Sequence, residues 1–156
     1  MPEERTKSQI GKSSRRKGQT NERELAAELS ALLGLTIKRR VRNHLNESDL
    51  TGVPGWSVEC KACKQLQLAT WWKQTVRQAD DSEYPVLFYK IPFKGFRAVV
   101  PLAVMGLGEL LDDSLAMTAE LSLDGFAMLY RETEASRMKY EQNVKNHAMT
   151  IGVKLQ

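Results

Sequence analysis

Apolar residues at Leu25, Ala26, Leu29, Leu32 and Leu33 recur at helical spacing and form one stripe. Gly18-Gln19-Thr20-Asn21 precedes them, with Thr20 or Asn21 suited to cap a helix, and Gly34 is suited to stop it. At 100° per residue Glu22 falls near the middle of the apolar stripe, whereas Glu24 and Glu28 fall on the opposite side. Period-two alternation then predicts a strand from Thr36 to Arg42. Ile37, Arg39 and Val41 share one face of it, and Lys38, Arg40 and Arg42 share the other. After a polar loop comes Asp49, a Pro/Gly turn at residues 51–55, and a short apolar strand, Trp56-Ser57-Val58-Glu59-Cys60-Lys61. Its alternation puts Ser57, Glu59 and Lys61 on one face, and Val58, Cys60 and Ala62 on the other.

A second helix is expected from Leu68 to about Asp81. Trp72, Val76 and Ala79 form its apolar side, and Trp71, Gln74 and Gln78 line another. The run Val86–Ile91 is continuously apolar, as a central strand would be. Pro92-Phe93-Lys94-Gly95 then turns the chain into a hairpin partner at Phe96–Val100. A short helix from Leu102 to about Asp113 and a capped one from Ser122 through Leu123 to about Asn143 complete the pattern. No apolar run approaches a membrane span, and no signal-peptide core follows the charged N-terminus.

Charge sharpens this pattern by its location. Residues 1–17 hold Arg5, Lys7, Lys12, Arg15, Arg16 and Lys17 against Glu3 and Glu4, which accounts for the net charge of +4. Residues 1–16 lack apolar periodicity and read as a flexible basic arm. Residues 17–113 read as the main domain, and residues 114–156 as its helical C-terminal extension. Lys38, Arg39, Arg40 and Arg42 form a second basic cluster. On a strand, Lys38, Arg40 and Arg42 would repeat every ~7 Å, near the phosphate spacing of one nucleic-acid strand. Residues 109–142 carry eight acids against three bases, so a polyanion partner is expected on one side only. Two cysteines, Cys60 and Cys63, suit a reducing, cytoplasmic compartment. Strand geometry turns them apart, which argues against a zinc site completed by His44 and His147.

Glu59 beside Lys61 on a largely buried strand demands compensation for its desolvation. With Glu22 and Asp49 the chain offers three carboxylates and one lysine that an ordinary sheet could bring to one end. Such a set suits phosphodiester hydrolysis assisted by a hard divalent cation. Asp49, Glu59 and the backbone carbonyl of Cys60 are the expected ligands for Mg²⁺, for which Mn²⁺ would substitute. Glu22 would bind directly or through water, and Lys61 would orient the attacking water. Gln74, Gln78 and Ser57 are candidates to support these residues, and Arg15, Arg16, Lys17, Lys38, Arg39, Arg40 and Arg42 are candidates to contact DNA.

The pattern Asp49…Glu59-Cys60-Lys61 resembles the PD-(D/E)XK nuclease signature, with Ser48 where that signature has proline. The segment Arg16-Lys17-Gly18-Gln19-Thr20-Asn21-Glu22-Arg23-Glu24-Leu25 is similar to the opening of archaeal-type Holliday junction resolvases, and the stretch from Asp49 to Lys61 resembles small phage-encoded proteins of that kind. The resemblance covers roughly residues 15–101. It implies a restriction-endonuclease-like mixed α/β fold, a central mixed sheet flanked by helices. It further implies Mg²⁺-dependent DNA cleavage and a homodimer that cuts opposed strands of a four-way junction in the cytoplasm, the host's if phage-encoded. A nuclease of the same fold acting on linear, flap or nicked DNA, and a non-catalytic DNA-binding module, are the alternatives.

Overall fold

Helix α1 spans Lys7–Leu33, and in the computed structural model it opens the described part of the chain, residues 7–41, 47–62, 64–108 and 112–150. It therefore begins well before Thr20 or Asn21, the expected cap. Residues 7–16, expected to be a flexible arm, form its first turns. The cause is local: this segment lacks proline, and its exposed polar and basic side chains extend a helix whose apolar stripe is already anchored. That anchor is Leu25, Ala26 and Leu29, all buried. Fully burying a leucine contributes about 1.5–3 kcal/mol, so these side chains outweigh the weak propensities of the polar turns before them. At the other end Gly34 takes φ +67° and its N–H bonds Ser30 O at 3.0 Å, stopping the helix where the glycine predicted.

Strand β1 (Lys38–Arg39) and strand β2 (Leu50–Thr51) form a small antiparallel pair. The expected strand from Thr36 to Arg42 thus shrinks to two residues of ladder, with Ile37 buried in front of it and Val41 exposed behind. Gly52 follows at φ +94°, and a Cβ there would lie 2.3 Å from Thr36 O, so only glycine fits between these segments.

The main sheet has the order β3-β4-β5-β6: β3 (Trp56–Lys61), β4 (Tyr84–Ile91), β5 (Gly95–Pro101) and β6 (Thr118–Ser122). β3 pairs parallel with β4, across a connection that contains α2 (Leu68–Gln78), and the remaining pairs are antiparallel. α2 stops just short of the expected Asp81. β6 was not expected, because Ala119, Glu120 and Leu121 are of residue types that favour helix. Its register against β5, with Thr118 opposite Pro101, overrides that preference. The expected helix at residues 102–113 is a single 3₁₀ stretch, Leu102–Met105, ended by Gly106 at φ +78°; residues 109–111 lie outside the described part. α3 (Leu123–Thr150) opens as expected, with Ser122 Oγ accepting from Gly125 N–H at 3.0 Å, but it runs past Asn143.

Alternation sorts the core into two layers. Val58, Val86, Phe88, Ala98 and Val100 pack with α1 and α3, whereas Leu87, Tyr89 and Val99 pack with Trp71, Trp72 and Val76 of α2. Phe126 of α3 meets Trp56 and Phe88 edge-on at 5.1 and 5.0 Å, which pins that helix to the sheet. The result is the mixed α/β architecture expected from the chain, a four-stranded mixed sheet flanked by three helices and consistent with the restriction-endonuclease-like fold. No helix among the described residues is long and apolar enough to cross a membrane.

Candidate active site

Asp49 sits at the crossing of three segments. Its N–H donates to Val58 O at 2.7 Å, its carbonyl accepts from Arg40 N–H at 2.8 Å, and its Oδ2 accepts from Cys60 N–H at 2.8 Å. The neighbouring turn holds it there: Ser48 Oγ donates to Leu50 O at 2.6 Å, in the place of the proline of the nuclease signature. Asp49 is consequently only 2% exposed.

Glu59 projects from β3 toward α2 and is 1% exposed. Lys61, two residues on and on the same face, places Nζ 2.6 Å from Glu59 Oε1. Gln74 of α2 points Nε2 at the same oxygen in a long contact of 3.5 Å, while Gln78, one turn later, keeps a buried Oε1 without a hydrogen-bond partner. Ser57 is buried two residues before Glu59. Carboxylates this deep require compensation by fixed donors and cations, and Cys60 N–H and Lys61 are among those present.

Glu22 approaches from the other layer. Its Oε2 accepts from Arg39 Nε at 2.6 Å, with side chains 18% and 22% exposed, so the acid predicted on the apolar stripe of α1 is half-buried and charge-paired. Arg39 is thereby turned inward. Arg40 buries its Nε without a hydrogen-bond partner, Lys38 is exposed, and Arg42 and His44 lie outside the described residues. The expected comb of cations is thus seen only at Lys38 and Arg40. Arg15, Arg16 and Lys17 are exposed along α1.

These groups converge electrostatically on Cys60. Burial pushes its thiol well above the usual range, and the carboxylates of Asp49, Glu22 and Glu59 push it further, with Lys61 opposing. Among the described residues no three His, Cys, Asp or Glu side chains stand close enough together to hold a metal ion. Two buried carboxylates, a strand carbonyl and water would make an all-oxygen set. That donor chemistry fits Mg²⁺, which keeps several of its waters. Cys63 lies outside the described residues, so the cysteine pair has no described geometry.

Residues 13–128 match the model of the family described as "Phage putative PDDEXK endonuclease". The chain belongs to that family. The match takes in Glu22, Asp49, Glu59 and Lys61, together with α2 and the whole of the sheet. Searches of the curated proteins and of the solved structures found no match. Lys90 and Glu24 form a contact that alternation did not single out. Lys90, at the end of a buried strand, places Nζ 2.7 and 2.6 Å from the two Glu24 oxygens, so Glu24 reaches β4 while its side chain stays 41% exposed. A lysine closing an apolar run was the available signal.

Proposed function

We propose that this chain is a metal-dependent endodeoxyribonuclease that hydrolyses phosphodiester bonds at the Asp49–Glu59–Lys61 site. The carrying observation is that two carboxylates, each at most 2% exposed and drawn from different segments, flank Cys60 while Lys61 rests 2.6 Å from one of them. Asp49, Glu59 and the Cys60 carbonyl would hold Mg²⁺, with Mn²⁺ as a substitute. When bound, the cation lowers the pKa of water and offsets charge at the phosphate.

The protein's own groups do the rest. Lys61 orients the attacking water and balances charge at the scissile phosphate, and Gln74 steadies Glu59. Glu22, held in place by Arg39, would reach the cation directly or through water. The water oxygen bonds to phosphorus as it gives up a proton to solvent, and the bond to the departing sugar oxygen breaks as that oxygen takes a proton from solvent.

The finer reading is cleavage of four-way junctions by a homodimer in the cytoplasm of the phage-infected host. Its support is the likeness of residues 16–25 to junction resolvases, although Lys17-Gly18 lies within α1 rather than at its start. Purified protein with Mg²⁺ is offered a junction, linear duplex, a flap and single strand. Paired nicks in opposed junction arms are expected. Equal cleavage of linear duplex removes the junction reading, and binding without cleavage under any divalent metal removes the nuclease reading. Asp49→Asn or Glu59→Gln lowers cleavage by at least about a hundredfold while DNA binding persists. Wild-type cleavage by either variant would refute the metal assignment.

A further inference from the structure

Beside the candidate site, a cleft of about 450 Å³ separates the N-terminal half of α1 from the ends of β3 and β4. Arg16, Lys17, Lys64 and Lys90 line it, with Ala62 and Pro92 supplying apolar surface. Two other lining residues tie it to the site: Asn21 precedes Glu22, and Ala62 follows Lys61. Among the described residues no acid lines the cleft, and Glu24 bonds one of its cations, Lys90, across the α1–β4 boundary. Lys90 Nζ also lies 5.3 Å from the centre of the Phe96 ring, which fixes its position further.

We propose that this cleft seats the sugar-phosphate backbone of the cleaved strand next to the scissile bond, with Lys64 and Lys90 contacting phosphates and Glu24 restraining Lys90. The proposal rests on the nuclease reading and extends it to residues outside the metal-binding set. Charge complementarity selects a polyanion, and the volume suits one strand's backbone rather than a whole duplex. The apolar stretch formed by Ala62, Pro92 and the lysine stems suits a sugar, which leaves the cations free for phosphate oxygens. Both Glu24 oxygens accept from Lys90 Nζ, so DNA must compete with Glu24 for that ammonium group. Glu24 therefore lowers affinity for DNA while holding Lys90 in place.

The test uses the full chain and a fluorescent duplex oligonucleotide in EDTA, with dissociation constants measured across a salt series. Lys64→Glu alters an exposed side chain, so the fold is preserved. It weakens binding about tenfold and lowers the salt slope by about one. Glu24→Gln releases Lys90, tightens binding several-fold and steepens the slope. Wild-type affinity and slope in Lys64→Glu would overturn the cleft, as would weaker binding in a folded Glu24→Gln. The two readings fail separately: cleavage by wild type with unchanged binding in Lys64→Glu sinks only the cleft. Altered binding with no cleavage under any metal sinks the nuclease reading and the placement beside a scissile bond, and keeps the cleft as a DNA contact.

Discussion

Tyr89 shows how one side chain ties the middle of the sheet to its β6 edge. Its ring is buried beside Trp71 and Trp72, and its hydroxyl donates to Glu120 Oε2 at 2.8 Å while Arg97 holds the other Glu120 oxygen at 2.9 Å. Burial first, then the Glu120 bond and charge, push the phenol from 10.0 up to about 12. The unfolded chain loses this proton near pH 10 and the folded chain keeps it to about pH 12, so the folded state binds more protons between them. This contribution to stability is complete below pH 10 and declines as pH rises through that window. Tyr89→Phe should therefore flatten the fall of stability between pH 10 and 12, measured by urea unfolding at several pH values. Identical slopes in the two proteins would show that the phenol is not held in this way. Glu59 and Lys61 were legible at this scale because strand alternation alone puts them on one face. Glu22 was legible as an inward acid, but Arg39 as its partner was not, since residues 17 apart in sequence meet only through the fold.

Among the elements, α1 departs most from its sequence pattern. Capping chemistry at Thr20 and Asn21 marks a helix start, yet Thr20 Oγ1 instead donates to Arg16 O at 2.9 Å, one turn back within a continuing helix. Gly18 lies inside this helix, and a Cβ there meets nothing within 4 Å. Gly18→Ala should then stabilise the protein by about 0.5–1 kcal/mol, through the helix propensity of alanine. A melting temperature raised by about 1–4 °C is the readout. No rise would mean that α1 does not run through residue 18. The opposite error, at β6, has the same origin. Single-residue preferences describe an isolated segment, whereas an edge such as that of β5 rewards any chain laid along it.

For the whole molecule, the two long helices extend beyond the sheet in different chemical styles. Residues 7–12 and 14–17 of α1 are exposed and basic in character, while α3 is exposed from Ala135 to His147 with mixed charge. Deleting residues 1–16 removes Arg5, Lys7, Lys12, Arg15 and Arg16 but leaves the anchor at Leu25 and Leu29. The truncated protein should unfold cooperatively as before. It should bind DNA more weakly, with a salt slope reduced by about 0.9 for each phosphate that the removed cations neutralise. An unchanged slope, measured by anisotropy, would rule the N-terminal turns out as a DNA-binding element.

The order of most elements and the candidate chemistry were readable from the residues alone, because both depend on short-range regularities. Periodicities of 2 and 3.6 assigned faces in β3, α1 and α2, glycine and proline marked their ends, and Glu59-x-Lys61 needed no partner to be read. Tertiary structure alone decided which distant groups meet: Asp49 on the Cys60 amide, Arg39 on Glu22, Lys90 on Glu24, and β6 on β5. Such pairings join segments far apart along the chain, and their geometry depends on how helices and strands settle into one shared core. A side chain's type is written in the sequence; its partner is set by packing.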